Sequence, residues 1–370
     1  AVKYPIGECR RRALTYSAPI RVNARLINKD TGEAIDQNVM LGEVPLMTDD
    51  GSFLISGVDR VIVSQIVRSP GVYFDSVDDK NTGKTTYTAS LNPTRGMWLE
   101  FEQTPKDTIR VIMDRSVKVS AGVLLKGLGL GGDAEIAKLF GNDPLILNTL
   151  EQESQKTEED ALLELSKKLK PSELPSAEAI KTFIFNTFFT NLRYDLAKVG
   201  RYKFNKKLNL CNRLVGLTLG QDITLADGTK IAEGTEISQE QANAIQNSGI
   251  NEVWVLVNGG KKHLMRGNNR VALDSLVKCD PREYGIYELV HYPTLQELWK
   301  GAKTKEAKLS IVKENAEALI NRHIVMDDIL ASTSFLQTLQ SLSFLFIKFN
   351  SHLGQRINSI FFSKILSPVL

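Results

Sequence analysis

The stretch GEVPLMTDDGSFLISGVDRVIVSQIVRSPGVYFD, residues 42–75, sets the character of the first part of the chain. Asp50-Gly51 separates Val44-Pro45-Leu46-Met47 from Phe53-Leu54-Ile55. A tight primed turn needs residues that tolerate positive φ, so this pattern predicts a hairpin. The apolar run Val61-Ile62-Val63 reads as a buried strand, and Arg68-Ser69-Pro70-Gly71 follows it directly. An arginine is thereby carried to the edge of a rigid element by a proline-glycine turn, a placement that suits a phosphate, a base edge or a nearby carboxylate equally. Upstream, Ile20, Val22, Ala24 and Leu26 alternate with polar residues, the signature of a half-buried strand, and Asp30-Thr31-Gly32 supplies its turn.

Helical patterns take over downstream. Thr157 with Asp160 resembles a capping box, and the segment it opens runs to Leu169 before Pro171. Ser176 is the expected N-cap of a helix whose stripe Ile180, Phe183, Ile184, Thr187 and Phe188 packs into a core. Residues 209–278 return to short strands. Asp227-Gly228 and Asn258-Gly259 sit at hairpin positions around a short helix at 238–248, which predicts a compact inserted module. A single amphipathic helix is expected over 305–330, with Leu309, Val312, Ala316, Leu319 and Ile320 on one face. Residues 332–370 show no clear caps or loop chemistry, and the sequence assigns them no structure. The fold class is α+β and multi-domain.

The chain has 370 residues, 42% hydrophobic and 24% charged, with a net charge of +3. That length allows about two domains. No apolar run approaches the roughly 20 residues a membrane-spanning helix needs, and the first residues have no secretory pattern, so a cytoplasmic protein with no membrane partner is expected. Cys9, Cys211 and Cys279 lie far apart, as do His263, His291, His323 and His352, so neither a disulfide framework nor a metal site is indicated. There is no GxxxxGK[ST] loop, no GxSxG elbow and no DxD-type carboxylate cluster for catalytic magnesium. The glycine-rich LKGLGLGGD lacks a phosphate-binding lysine and reads as a loop between helices.

What remains are basic and aromatic residues on turns. Arg95-Gly96-Met97-Trp98 follows Asn92-Pro93, and Trp98 suits either a stack on an unpaired base or a place in the core. Arg193, Lys198, Arg201, Lys203, Lys206 and Lys207, interleaved with Tyr194, Tyr202 and Phe204, form the densest basic run. Such a run fits a nucleic-acid backbone or a solvated charged face. Arg10-Arg11-Arg12 is a shorter stretch of the same kind.

Residues 42–75 as a whole resemble a signature of the β subunits of bacterial DNA-dependent RNA polymerase. So do YPIGECRRRALTYSAPIRVNARLINKDTGE near the start, NPTRGMWLEFE at 92–102 and RYDLAKVGRYKFNKKL at 193–208. The resemblance runs, in order, to about Ala331. It implies a partial, β-rich protrusion domain over 1–66, then an α+β lobe in two parts, 67–208 and 279–331, interrupted by the small β-rich insertion at 209–278. A tail that departs from the family occupies 332–370. In that layout the chain begins inside the protrusion and is a fragment.

The resemblance also implies roles. Arg60 and Val63 match positions beside the RNA–DNA hybrid where rifamycin antibiotics bind. Arg68 matches a pocket for a base of the non-template strand, and Trp98 a tryptophan that stacks on a neighbouring unpaired base. Arg115 and Lys118 fall in a basic cluster facing nucleic acid, and Arg95, Arg201 and Lys203 are expected to join the DNA contacts. His352-Leu353-Gly354-Gln355-Arg356 resembles the family's HLGNRR motif, which gives Arg356 a DNA-facing role, with Ser351 where the family has an aspartate. A frame error in the coding sequence would account for such a tail.

The implied partners are the β′, α, ω and σ subunits, DNA and nascent RNA, in the cytoplasm at the nucleoid. The family's catalytic Mg2+ is held by β′, so this chain is expected to hold no cofactor, to have no catalytic residue and not to polymerise alone. The other function class left open is an interaction platform for β′, σ or regulators that touches DNA weakly.

Overall fold

The computed structural model describes residues 2–78, 83–257, 260–302 and 304–342. The described residues form two compact units, divided after Arg68. Over the described residues the fold is mixed α+β, with several small sheets and no barrel.

The first unit opens with a short helix, α1 (Ile6–Arg11), followed by a two-stranded antiparallel ribbon, β1 (Ser17–Ile27) and β2 (Ala34–Pro45). Its turn closes through Asn28 N–H to Glu33 O (2.9 Å), with Gly32 at φ 73°. The register shifts between Ile20, opposite Gly42, and Arg21, opposite Met40, which leaves Leu41 as a bulge. The Asp50-Gly51 turn is present: Gly51 has φ 76°, Thr48 N–H donates to Ser52 O, and Met47 bridges Phe53. Ser56 and Gly57, both at positive φ, then join β3 (Phe53–Ile55) to β4 (Val58–Arg60), a second hairpin not anticipated from the sequence.

Two expectations are corrected here. Val61, Ile62 and Val63 form no strand and are largely exposed, and the β1–β2 strands are exposed on both faces rather than half-buried. Apolar periodicity marks a surface that can be covered, and within this unit no described element covers it.

The second unit is built on a five-stranded antiparallel meander in sequential order: β5 (Gly71–Asp78), β6 (Thr85–Asn92), β7 (Leu99–Gln103), β8 (Ile109–Met113) and β9 (Val117–Ser120). Strict alternation sends Phe74, Ala89, Leu91, Leu99, Phe101, Val111 and Val119 into the core. Helices α2 (Ala121–Gly127), α3 (Asp133–Leu139), α4 (Pro144–Glu151), α5 (Glu158–Leu169), α6 (Ala177–Phe188) and α7 (Ala197–Leu208) follow, all but α3 eight residues or longer except the fully buried α2. The expected caps form: Thr157 accepts from Asp160 N–H and Ser176 from Ala179 N–H. The buried carboxylate of Glu153 ties α2 to the sheet, accepting from Ser120 Oγ, Val123 N–H (3.2 Å) and Lys126 Nζ (2.9 Å).

After α8 (Leu210–Leu214) come β10 (Thr218–Leu219), β11 (Ile223–Thr224), β12 (Lys230–Ile231), α9 (Gln239–Asn247), β13 (Glu252–Val257) and β14 (Lys261–Arg266). Their own core includes Leu219, Ile245, Val253 and Met265. A third cluster, with Val271, Val290 and Leu319, gathers β15 (Arg270–Val271), α10 (Leu273–Leu276), β16 (Val290–His291), α11 (Tyr292–Leu298), α12 (Lys305–Glu314) and α13 (Ala316–Ile320).

The single helix expected over 305–330 is broken. Asn315 ends α12, its side-chain amide donating to Ile311 O (2.9 Å), and Asn321 ends α13 at φ 44°. The chain then enters α14 (Met326–Ser341), so residues 332–341, to which the sequence assigned no structure, are helical. Helix α14 is buried almost all round. It sets Phe335 edge-on against Phe74 (centroids 4.2 Å), while Ser334 and Thr338 meet Arg266 N–H and the Arg213 and His263 side chains. Arg356 and the rest of the tail beyond 342 lie outside the described residues.

Candidate nucleic-acid interface

In an antiparallel meander, alternate connections emerge at the same end. The β6–β7 loop (93–98) and the β8–β9 turn (114–116) therefore share one end of the sheet, and Leu99 opposite Met113 is the pair that places them side by side. Trp98 is the last residue of the loop, and its carbonyl accepts from Asp114 N–H (2.9 Å).

The loop is pinned from the other side. Thr94 and Arg95 N–H both donate to Asp195 O, Asp195 N–H returns a bond to Arg95 O (2.8 Å), and Arg95 Nη2 reaches Asn191 O (3.1 Å). Gly96 sits at φ 132°, and a Cβ there would meet Tyr194 Cδ2 at 2.8 Å and Arg193 O at 3.0 Å. Only glycine fits that approach without displacement.

Trp98 is half-buried, which excludes neither of its sequence readings but leaves part of the indole at the surface. The guanidinium of Arg115 lies over its ring, 4.2 Å from the centroid. Asp114 and Arg115 both have positive φ (48° and 63°), as a primed hairpin turn requires, and Ser116 N–H donates to Met113 O. Aspartate suits such a turn but arginine seldom adopts positive φ, so the sequence carried only part of the signal for this turn. The pairing of Arg115 with Trp98 was not anticipated.

Lys118 is exposed on β9, and its carbonyl accepts from Lys168 Nζ (3.0 Å). With Arg110 and Lys168 it borders a cleft of about 300 Å³.

The basic run divides by helical phase. Lys198, Tyr202 and Lys206 project from the outer face of α7, with Lys198 near the Tyr287 ring (6.0 Å) and Lys206 near Tyr202 (5.8 Å). Lys203 is half-buried and donates to Ser69 Oγ (2.8 Å). Burial pulls the Lys207 ammonium below the usual lysine range, with Asp75 opposing it.

Arg201 is a correction, since its side chain is fully buried and presents nothing to a nucleic acid. It donates to both oxygens of Asp328 (3.0 and 2.9 Å), to Asn321 O through Nε and to His323 O through Nη2. Burial alone would raise the Asp328 carboxyl, but Arg201, then Arg270 and the Val325 N–H, outweigh it and hold the group below the ordinary carboxylate range. A planar five-donor guanidinium suits this enclosed role.

In the first unit, Arg60 ends β4 opposite Phe53 and is exposed. Val63 is exposed on the extended segment after it, as is Arg68 at the end of the unit. Among the described residues, no group of three or more His, Cys, Asp or Glu side chains could hold a metal ion, and no helix is long and apolar enough to cross a membrane.

Residues 68–223 match the family described as RNA polymerase Rpb2, domain 2. Over 335 residues, 90% of the chain, it is 46% identical to the DNA-directed RNA polymerase subunit beta of Clostridioides difficile. The subunits of the same name from Clostridium acetobutylicum and Acetivibrio thermocellus are 43% and 44% identical, over 336 and 338 residues. The chain spans 27% of the length of each of these relatives.

Proposed function

Because the chain is homologous over 90% of its length to the β subunits of DNA-directed RNA polymerase, we propose that it forms part of one wall of that nucleotidyltransferase's DNA channel. In this reading Trp98 stacks on an unpaired base of the non-template strand, and Arg95 and Lys118 hold the surrounding phosphates. Arg68 contributes to a base pocket, and Arg60 and Val63 lie beside the RNA–DNA hybrid in a rifamycin-binding region.

The observation that carries the reading is a half-buried indole and two exposed cations, Arg95 and Arg115, on the connections at one end of a rigid sheet, with Lys118 exposed on the adjoining strand β9. Single-stranded nucleic acid is held by that combination, since every base has a π-face and the backbone is anionic. The β′, α, ω and σ subunits would be its partners, with nascent RNA at the hybrid, and β′ would supply the Mg2+ that activates the reacting phosphates. This chain's own contribution would be shape, stacking and charge.

In polymerase assembled with the full-length subunit, Trp98→Ala should weaken binding of forked DNA by about tenfold, within the roughly 1–3 kcal/mol that one base–aromatic stack supplies. Unchanged affinity and open-complex lifetime would overturn the reading. The platform reading draws support from the exposed apolar side chains Leu174, Phe185, Leu192 and Tyr287 of the second unit. A salt-independent association with β′ or σ that survives the loss of Trp98, Arg95 and Lys118 would favour it.

A further inference from the structure

The guanidinium of Arg115 lies over the Trp98 ring. Arg115 has no hydrogen bond or ion pair to any other described residue. Its backbone leaves it little choice of position, being the second of two successive left-handed residues in a turn whose first residue, Asp114, donates to the carbonyl of Trp98 itself. The turn and the indole are thus one built unit, and one of the ring's two faces is covered by a flat cation.

We propose that Arg115 is a positioning residue for Trp98: it backs one face of the indole, fixes the ring's orientation and leaves the opposite face as the only platform for an incoming base. This rests on the reading of Trp98 as a base-stacking residue and goes beyond it, because Arg115 then acts through the ring and not as a phosphate ligand. The ligand is an unpaired nucleobase, received as the third layer of a base–indole–guanidinium stack. Holding the ring in place before the base arrives removes an ordering cost from binding. Arginine suits the position better than lysine, since its planar group stacks on an aromatic face and an ammonium is a hydrated point charge.

The test uses assembled polymerase carrying the full-length subunit and a forked duplex with 2-aminopurine at the first unpaired non-template position. Affinity, 2-aminopurine quenching and the salt dependence of binding are measured for wild type, W98A, R115A, R115K and W98A/R115A. R115A should bind about two- to fivefold more weakly, the scale of an exposed cation–π contact, with less quenching and an unchanged salt slope. R115K should resemble R115A, and R115A should cost nothing further once Trp98 is gone.

Binding by R115A as tight as wild type, or tighter, overturns the proposal. So does full rescue by R115K together with a salt slope shallower by about one in R115A, the mark of a phosphate contact. An additive effect in the double variant overturns it too. If W98A is itself without effect, both the stacking role and the backing role fall. If W98A weakens binding and R115A does not, only the assignment of Arg115 falls.

Discussion

Arg201 and Asp328, 127 residues apart in sequence, meet as a buried ion pair inside the larger unit, with one guanidinium nitrogen, Nη1, reaching both carboxylate oxygens and the side chains 1% and 0% exposed. Asn268 donates a further bond to the same carboxylate (3.2 Å), and Arg201 also closes the ends of the 321–323 segment that leads into α14. Removing one member strands a buried charge. Arg201→Ala or Asp328→Ala should therefore destabilise the second unit by about 3–5 kcal/mol, and Arg201→Met with Asp328→Leu should recover part of that loss. Denaturant unfolding checks this, and a double variant no better than either single one would refute it. The Asp328 carboxyl is held low, so its stabilising contribution is complete above the unfolded carboxylate range. It is lost only as pH falls below about 4.

His263 works in a different pH window. Burial, then the nearby charge of Arg213, pushes its imidazole down to about 4, and its Nε2 meets Thr338 Oγ1 (3.2 Å). The ring stays neutral in the fold while the unfolded chain takes up a proton near the ordinary value of about 6.5. Stability should consequently decline by an amount on the order of 2–3 kcal/mol between pH 6.5 and 4. His263→Gln should flatten that decline. Midpoints of urea unfolding at several pH values decide it, and an equally steep decline in the variant would assign the effect elsewhere.

Gly96→Ala should disturb the site and press on the edge of the core at Tyr194. The added methyl meets the Tyr194 ring and the Arg193 carbonyl while the backbone is held at φ 132°. A cost of about 1–3 kcal/mol is expected, together with a changed emission from Trp98. Wild-type stability and an unshifted spectrum would show that the loop absorbs the methyl.

Ile62 and Ile66 project from the extended segment of the first unit, at 77% and 105% relative exposure. Replacing both with serine should change folding stability by less than about 0.5 kcal/mol. It should also lower dye binding and self-association, as expected when an exposed apolar strip is broken up. A large loss of stability would mean that the strip is covered.

Where local chemistry decides a feature, the sequence was sufficient. The Asp50-Gly51 turn, the caps at Thr157 and Ser176 and the inward stripe of α6 depend on neighbours within four residues. The Val61–Val63 run misled because β-branched residues advertise a coverable surface without saying what covers it. Arg201 misled for another reason. It was grouped with Lys198 and Lys206 by composition, although it shares a helical stripe with Phe204 and Leu208, and that phase pointed inward. Its partner at position 328 could not be read from spacing. The Arg115–Trp98 stack was equally hidden, because it depends on strand register and on an arginine at positive φ, where arginine is seldom found.

Helix α14 has an asymmetric surroundings, with the Phe335 ring set against Phe74 of the large sheet and the hydroxyls of Ser334 and Thr338 turned to the strand-rich segment that contains β14. Hydroxyl groups lose little when water replaces a protein neighbour, whereas an aromatic ring loses much. The joint between the helix and that segment is consequently of a sort that sequence drift can undo and rebuild, while the joint to the sheet is not. What hangs on the hydroxylated flank is free to vary while the sheet behind the helix stays intact.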